Sequence, residues 1–183
     1  MKYTYYFYNQ FYKQEDLVEL NENLMKIRTP NPKDIAASGV IKTAKVDQLE
    51  WKHAKEHLSG LQELAEDINQ IYFGFHIWKM TDYYGVNYNT YSSEKQGQYD
   101  WHHDGCLNEP YDIKLTVIAN VSTEPYVGGE FQLFVNNGPK TLQQLDIPGS
   151  VLVFPSFIRH RVTPVTEGTR KTISFWIRGP NFR

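Results

Sequence analysis

The chain of 183 residues has a single cysteine, Cys106, which excludes an intramolecular disulfide and a zinc site built from several cysteines. It has no apolar run near the roughly 20 residues that cross a bilayer, and polar residues interrupt its start where a signal peptide needs an apolar stretch. The net charge of −2 disfavours binding to nucleic acid through a general basic field. These absences predict a cytoplasmic protein with no membrane and no nucleic-acid partner.

Aromatic residues are abundant, at 15% of the chain, and they favour sheets over helices. The hydrophobic share of 40% and the charged share of 22% are those of a globular protein, and the length predicts a single domain over residues 1–183. Cations are concentrated in residues 155–183, which contain six of them against one acid. This excess indicates either a local anion site or solvated surface charge.

The first part of the chain has helical patterns. Leu17, Leu20, Leu24 and Ile27 recur at helical spacing before Thr29 and Pro30 break the helix. A short β-like piece at 39–41 precedes a second helical region from about residue 48 to 72. Its apolar stripe consists of Leu58, Leu61, Leu64, Ala65 and Ile68. His53 and His57 could share a face of this helix, but they lack the glutamate spacing of a zinc-protease helix and are expected to be exposed.

From residue 75 onward the pattern changes to short β-like runs separated by Gly, Asn and Pro. Eight runs are expected, at 75–80, 86–91, 98–103, 113–121, 130–135, 150–154, 160–165 and 170–177. So many short strands in roughly 110 residues favour a double-sheet jelly roll. The chain is therefore expected to be an α+β protein, with a helical lead-in at about 1–74, a β-barrel core at about 75–178, and the helices packed on one sheet.

A candidate metal site lies in the segment 98–105. His102 and Asp104 are two residues apart, so on a strand both side chains leave the same face while His103 points the other way. His160, at the start of a later run, supplies a possible third ligand. Two histidines and one carboxylate form the facial triad of non-haem Fe(II) oxygenases. By itself the His-x-Asp pair is a weak signal, for which a structural contact is the favoured explanation.

A candidate anion-binding residue follows. Residues 166–169 are expected to form a tight turn, which would make 160–165 and 170–177 a hairpin. Arg170 would then stand opposite about residue 165, roughly 16 Å along the ladder from His160. An α-keto acid that chelates iron and carries a second carboxylate would need a cation whose backbone lies at such a distance, once the length of the arginine side chain is added. Arginine suits this task because its planar fork binds a carboxylate bidentately.

Together these motifs resemble those of the Fe(II)/2-oxoglutarate-dependent dioxygenases, over about residues 75–178. The nearest branch is the prolyl 4-hydroxylase type, which includes small bacterial and phage-encoded members. The H-x-D motif of the family matches His102 and Asp104. Its second motif, H-x-V-x-P-V-x-x-G-x-R, matches at His160, Val162, Pro164, Val165, Gly168 and Arg170, and its Gly-Gly-Glu turn matches Gly128, Gly129 and Glu130.

The resemblance implies a role for each matched residue. His102, Asp104 and His160 would be the metal ligands and the catalytic centre. Arg170 would bind the far carboxylate of 2-oxoglutarate, and Trp176 would line the same pocket. A co-substrate tyrosine usually stands nine or ten residues before H-x-D, whereas Tyr91 is eleven before His102, so Tyr88 or Tyr99 could replace it. Phe131 stands where relatives often have threonine.

The resulting hypothesis is a hydroxylase that uses Fe(II), 2-oxoglutarate and O₂, is stimulated by ascorbate, and releases succinate and CO₂. Its substrate would be a prolyl or other peptide or protein residue, although similar cores also serve small molecules, and the fold does not select among them. If the chain is phage-encoded, its location would be the host cytoplasm. The alternatives are a non-catalytic β-sandwich module that binds a peptide or carbohydrate, and a cupin-like enzyme with another metal. The oligomeric state is not predicted.

Overall fold

The computed structural model describes residues 4–30, 40–105 and 109–182, which form two α-helices and twelve strands. The helices are α1 (Asp16–Ile27) and α2 (Trp51–Ile68), and a π-helical turn (Asn69–Phe73) continues α2. The strands are β1 (Tyr6–Tyr8), β2 (Thr29–Pro30), β3 (Lys45–Glu50), β4 (Gly85–Ser92), β5 (Tyr99–His102), β6 (Asp112–Asn120), β7 (Tyr126–Gly128), β8 (Phe131–Val135), β9 (Gly138–Thr141), β10 (Val151–Pro155), β11 (His160–Val162) and β12 (Val165–Gly179). Short 3₁₀ turns lie at Ser93–Lys95 and Gln143–Asp146.

The strands form two antiparallel sheets. The larger has the order β1-β10-β6-β12-β4-β3-β2, and β7 pairs with the start of β12. The smaller has the order β5-β11-β8-β9. The fold is an α+β double-stranded β-helix, and the predicted fold class is confirmed.

The two-residue period of the strands separates two environments on the larger sheet. On β12, Ile173, Phe175 and Ile177 belong to the core on the helix side, whereas Arg170, Thr172, Ser174 and Trp176 line a cavity between the sheets. On the neighbouring strand β4, Asn87, Asn89 and Tyr91 line the same cavity. A single pair of central strands therefore supplies both the apolar seat for the helices and a polar wall for the cavity.

Both helices bury their apolar stripe against the larger sheet. Leu17, Leu20 and Leu24 of α1 are buried, as are Leu58, Leu61, Ala65 and Ile68 of α2. The helical spacing read from the sequence is thus confirmed, and α1 ends at Ile27 just before the expected break. Packing of this kind, rather than intrinsic propensity, supplies most of the stability of helices of this length.

The helical lead-in also contributes strands, which the sequence patterns did not predict. β1 pairs with β10, and β3 pairs with β4, so residues 48–50 belong to a strand and not to the second helix. The predicted strand at 75–80 is wrong, because this segment makes one backbone bond to the end of β12, from Trp78 N to Arg178 O, and no ladder. In the predicted piece at 39–41, residues 40 and 41 form no strand and residue 39 lies outside the described residues.

The hairpin predicted for 160–165 and 170–177 is also wrong. β11 belongs to the smaller sheet and ends at Val162, whereas β12 begins at Val165 and pairs with β7, β4 and β6 of the larger sheet. The chain changes sheets at 163–164, where Pro164 has no N–H to donate to a ladder. Residues 166–169 are an irregular stretch of β12, with Gly168 at a φ of 68°. Arg170 therefore stands opposite Tyr91 and not opposite residue 165.

Neither helix within the described ranges is long and apolar enough to span a membrane. The cytoplasmic location and the single domain over residues 1–183 stay predictions. Cys106 lies outside the described residues.

Candidate active site

A β-bulge in β5 places His102 in the cavity. His102 stands opposite His160, and Tyr99 stands opposite Val162, so two residues of β5 face the single residue Arg161. The bulge puts Tyr99 and His102, three residues apart, on the same face, and their rings stack with centroids 3.5 Å apart. The register therefore brings His102 next to His160 from a distant part of the chain.

Three candidate metal ligands converge at this point. His102, Asp104 and His160 each offer one ligand atom, and these atoms lie within 4.8 Å of one another. The Nε2 atom of His160 is 3.5 Å from Asp104 Oδ2, and Nε2 of His102 is 3.9 Å from Asp104 Oδ1. His103 is exposed and points away, as expected from the alternation. Among the residues with described coordinates, this is the one group of three such side chains that could hold a metal.

Backbone carbonyls orient both imidazoles. Nδ1 of His102 lies 2.7 Å from the carbonyl oxygen of Asp100, and Nδ1 of His160 lies 2.9 Å from that of Ile158. A carbonyl can only accept, so each Nδ1 donates to its carbonyl and each Nε2 is the ring atom left to bind a metal. Both Nε2 atoms face Asp104.

The protonation state of His102 also favours metal binding. Burial and, to a smaller extent, the neighbouring His160 together lower the pKa of His102 to about 4, although Asp104 opposes the shift. At neutral pH the His102 imidazole is therefore uncharged. A metal ion then has no proton to displace from this ligand.

Thr116 fixes the carboxylate. Its hydroxyl donates to Asp104 Oδ2 over 2.7 Å, and the Asp104 backbone N–H donates to Ser156 O over 3.0 Å. We expect Thr116→Val to weaken Fe(II) binding by about tenfold to 100-fold, because groups that orient metal ligands typically matter by this much. Thr116→Ser, which keeps the hydroxyl, should restore the affinity. Anaerobic Fe(II) titration measures both variants.

The matched control for this prediction is Thr90→Val. Thr90 lies on β4, on the face that is turned away from the cavity. Its loss should leave the Fe(II) affinity unchanged. An unchanged affinity in Thr116→Val as well would show that the hydroxyl does not orient the carboxylate.

Arg170 is a buried charge in the same cavity. Its side chain is 1% exposed, and its Nε and Nη2 atoms have no hydrogen-bond partner. No acidic side chain among the described residues forms an ion pair with it. Buried charges are normally paired, because desolvation without compensation is costly. The arrangement fits an anionic ligand with two acceptor atoms.

The Gly-Gly-Glu turn makes room for this arginine. Gly129 has a φ of 64°, and a Cβ at this position would lie 2.8 Å from Val165 Cγ2 and 3.0 Å from Arg170 Cδ. Any side chain here would collide with the stem of the arginine, and it would also have to adopt a left-handed backbone. The absence of a side chain at Gly129 therefore leaves the space that the Arg170 side chain occupies.

The three candidate tyrosines separate clearly. Tyr91 and Tyr99 line the cavity, whereas Tyr88 faces α1 and donates to Asn21 Oδ1 over 2.5 Å. Tyr88 is therefore ruled out as a co-substrate contact. The Tyr91 ring lies 5.5 Å from the Arg170 guanidinium carbon, and burial raises the pKa of Tyr91 to about 12. Its hydroxyl remains a hydrogen-bond donor at neutral pH.

Trp176 and Phe131 complete the cavity wall. Trp176 stands opposite Thr116 across β12 and β6, and its indole Nε1 is a buried donor without a partner. The Phe131 ring lies 5.6 Å from the His160 ring. It supplies apolar surface at the position where relatives often have the hydroxyl of a threonine. The donor at Trp176 adds a third unpaired group that a ligand in the cavity could satisfy.

Several residues of the cavity were missed in the sequence. They are Lys42, Asn87, Asn89, Thr116, Thr172 and Ser174, and Asn89 Nδ2 donates to Ser174 Oγ over 3.0 Å. The polar positions that alternate with apolar ones in β4, β6 and β12 were the available signal for all of them except Lys42. Lys42 precedes β3, and no local pattern marks it.

The comparisons with known proteins define the class. A family model described as the 2OG-Fe(II) oxygenase superfamily matches residues 86–178, which are 93 of the 183 residues. The chain belongs to this family. The donor set agrees with the family, since two imidazoles and one carboxylate with open positions suit Fe(II).

Two curated relatives show which kind of enzyme in the family the chain is similar to. A PKHD-type hydroxylase of Pseudomonas fluorescens is 31% identical over 88 residues, which cover 44% of this chain and 38% of the relative. A PKHD-type hydroxylase of Paraburkholderia xenovorans is 34% identical over 88 residues, which cover 44% of this chain and 37% of the relative. The match thus spans less than two fifths of the length of either relative.

Solved structures show the same fold along nearly all of the chain. A prolyl-4-hydroxylase of Pseudomonas putida has a TM-score of 0.72 at 14% identity, covering 98% of this chain and 95% of that chain. A prolyl hydroxylase of Trichoplax adhaerens, in complex with a peptide fragment of the hypoxia inducible factor oxygen degradation domain, has a TM-score of 0.72 at 16% identity. That match covers 96% of this chain and 84% of the other.

Proposed function

We propose that the chain is an Fe(II)- and 2-oxoglutarate-dependent hydroxylase and that His102, Asp104 and His160 hold its metal. The support for this set is the convergence of the three ligand atoms within 4.8 Å. Both histidines present their Nε2 atoms to Asp104, and the carboxylate is oriented by Thr116. A facial set of this kind leaves positions for the co-substrate and O₂.

The single observation that carries the co-substrate assignment is Arg170. It is a fully buried cation with two N–H donors that lack partners, and it lines the same cavity as the three ligands. We assign it to the C5 carboxylate of 2-oxoglutarate, which its planar fork would bind bidentately. We assign the Tyr91 hydroxyl, protonated at neutral pH, and the Trp176 indole as further donors to the same molecule.

Fe(II) held by the triad and 2-oxoglutarate held by Arg170 would supply the oxidising chemistry, with release of succinate and CO₂. The protein binds and orients these two groups and shields them from water. Arg170 and Tyr91 fix the far end of the co-substrate, while Thr116 keeps the Asp104 carboxylate in place. Apolar side chains such as Phe131 and Val162 line the cavity and limit the access of water.

We propose a prolyl or other residue of a peptide or protein as the substrate. The support is the fold shared with prolyl hydroxylases, one of which is bound to a peptide fragment. The hydroxylase names of the curated relatives point to the same type of reaction.

Turnover of the co-substrate tests the function directly. The chain is incubated with Fe(II), 2-oxoglutarate and ascorbate, and succinate is measured with and without a pool of proline-containing peptides. We expect the pool to stimulate succinate release and to yield products heavier by one oxygen atom, about 16 Da. Failure to bind 2-oxoglutarate or to release succinate under any condition would contradict the assignment.

The two alternatives account for less of the site. A non-catalytic β-sandwich module gives no reason for a buried Arg170 with two donor nitrogens that lack partners, beside two histidines and a carboxylate. A cupin-like enzyme with another metal would use the triad but not the arginine. Binding of 2-oxoglutarate to the Fe(II)-loaded chain separates both alternatives from the proposal.

A further inference from the structure

The cavity contains one cation that the proposed function leaves without a role. The charged side chains among its described lining residues are Lys42, Asp104 and Arg170, beside the two histidines of the candidate metal site. Asp104 is assigned to the metal, and Arg170 is assigned to the co-substrate. Lys42 belongs to neither group.

The backbone fixes the side on which Lys42 projects. Lys42 forms an antiparallel bridge with Tyr99, on the side of β5 that does not pair with β11. The bridge is framed by hydrogen bonds from Thr43 N to Gln98 O, at 3.0 Å, and from Asp100 N to Ile41 O, at 2.9 Å. Residues directly opposite each other in such a pair present their side chains on the same face. Because Tyr99 faces the cavity, Lys42 faces it as well.

Lys42 is close to the metal-binding end of the cavity. Its Nζ atom lies 4.6 Å from the centroid of the Tyr99 ring, and this ring stacks at 3.5 Å on the His102 imidazole. The side chain is half-buried, so its charge is less screened than that of a surface lysine. Its charge is also one of the causes that lower the pKa of His102.

We propose that Lys42 binds a carboxylate of the primary substrate. The substrate is then an acidic peptide, or a molecule with a free carboxylate, and its anionic group lies next to the carbon that is hydroxylated. This inference rests on the proposed function. A lysine suits the role, because its ammonium is a point charge with three N–H donors that can bind a carboxylate from many directions.

Binding of matched peptide pairs tests the inference without turnover. The protein is loaded with Zn²⁺, which does not cycle in redox state, and with 2-oxoglutarate, which occupies Arg170. Two pairs place glutamate or glutamine before or after proline in a capped peptide, and a third compares acetyl-glycyl-proline with its amide. We expect the acidic member of at least one pair to bind about tenfold more tightly, as for a hydrogen bond to a charged group. The first two pairs report a side-chain carboxylate, and the third reports a terminal one.

Variants of Lys42 attribute the preference. Lys42→Met should make the two members of the preferred pair equal, and Lys42→Arg should keep the preference. The matched control is Lys140→Met, since Lys140 also lies over a tyrosine ring, 5.1 Å from that of Tyr5, but on β9 at the opposite edge of the same sheet. This control should retain the full preference.

The outcomes also separate this inference from the proposed function. Formation of the Fe(II)–2-oxoglutarate charge-transfer band, recorded before any peptide is added, tests the proposed function alone. If the band forms but the wild type binds no acidic member more tightly, or if Lys42→Met keeps the preference, the role of Lys42 is wrong. If the band does not form, the proposed function fails and this inference fails with it.

Discussion

Alanine in place of His160 is expected to abolish Fe(II) binding and succinate release while the chain stays folded. His160 supplies one of three ligand atoms, and its Nε2 lies 3.5 Å from Asp104 Oδ2. The remaining pair of ligands is a weak site. A catalytic metal contributes less to folding than a closed structural one, so the fold should persist. Anaerobic Fe(II) titration, succinate release and thermal unfolding measure the three quantities.

The control for this variant is His53→Ala, because His53 is an exposed histidine on α2. It should bind Fe(II) as the wild type does. Since His160 is buried, His160→Gln provides a second variant that fills more of the space and should also lose the metal. Near-normal Fe(II) affinity and turnover in His160→Ala, or in Asp104→Ala, would refute the triad.

The candidate triad and Arg170 could be predicted from the sequence because each is marked by local spacing. The pair His102 and Asp104 comes at the end of a strand, and the residues from His160 to Arg170 form one continuous motif. The alternation along β12 then decides which of its side chains face the cavity. Local signals of this kind do not depend on which strands become neighbours.

Strand pairing could not be predicted in the same way. The four residues 166–169 have a composition typical of a turn, yet they lie within β12, because β7 and β4 offer ladder partners that come from distant segments. The bulge at Asp100 and Trp101 depends on the register against β11. It was this bulge, and not a period of two, that brought Tyr99 beside His102. Strand pairing is decided by contacts between segments that are far apart in the sequence. A local pattern of residues therefore does not reveal which strands pair.

The residues that surround the candidate triad could not be predicted from local patterns either. Thr116 is one polar residue in an apolar run, and its importance becomes visible only when Asp104 is placed 2.7 Å from its hydroxyl. Lys42 has no motif at all and reaches the cavity through a single bridge to Tyr99. Residues that tune a site therefore depend on tertiary placement more than those that define its chemistry.

Truncation of Arg170 is expected to weaken 2-oxoglutarate binding by about 30-fold or more. Arg170 is 1% exposed, so the proposed contact of its guanidinium with the C5 carboxylate would be made away from water. Loss of one partner of such a buried charge pair costs about 2–5 kcal/mol, and 1.4 kcal/mol corresponds to a factor of ten. Arg170→Ala should leave Fe(II) affinity in the absence of co-substrate nearly unchanged, since Arg170 is not a metal ligand. Arg170→Lys should be intermediate, because it keeps the charge and loses the fork.

Titration of 2-oxoglutarate into the anaerobic Fe(II)-loaded protein, followed through the charge-transfer band, measures this effect. Arg178→Ala is the matched control, because Arg178 lies on the same strand but stacks on Tyr84 and Tyr111 away from the cavity. Arg170→Met retains most of the side-chain volume, and it separates loss of charge from collapse of the core around Gly129. If Arg170→Met and Arg170→Ala bound 2-oxoglutarate as tightly as the wild type, the arginine would not be its anchor. The metal triad would then stand without a co-substrate site, and the cupin-like alternative would account for the cavity better.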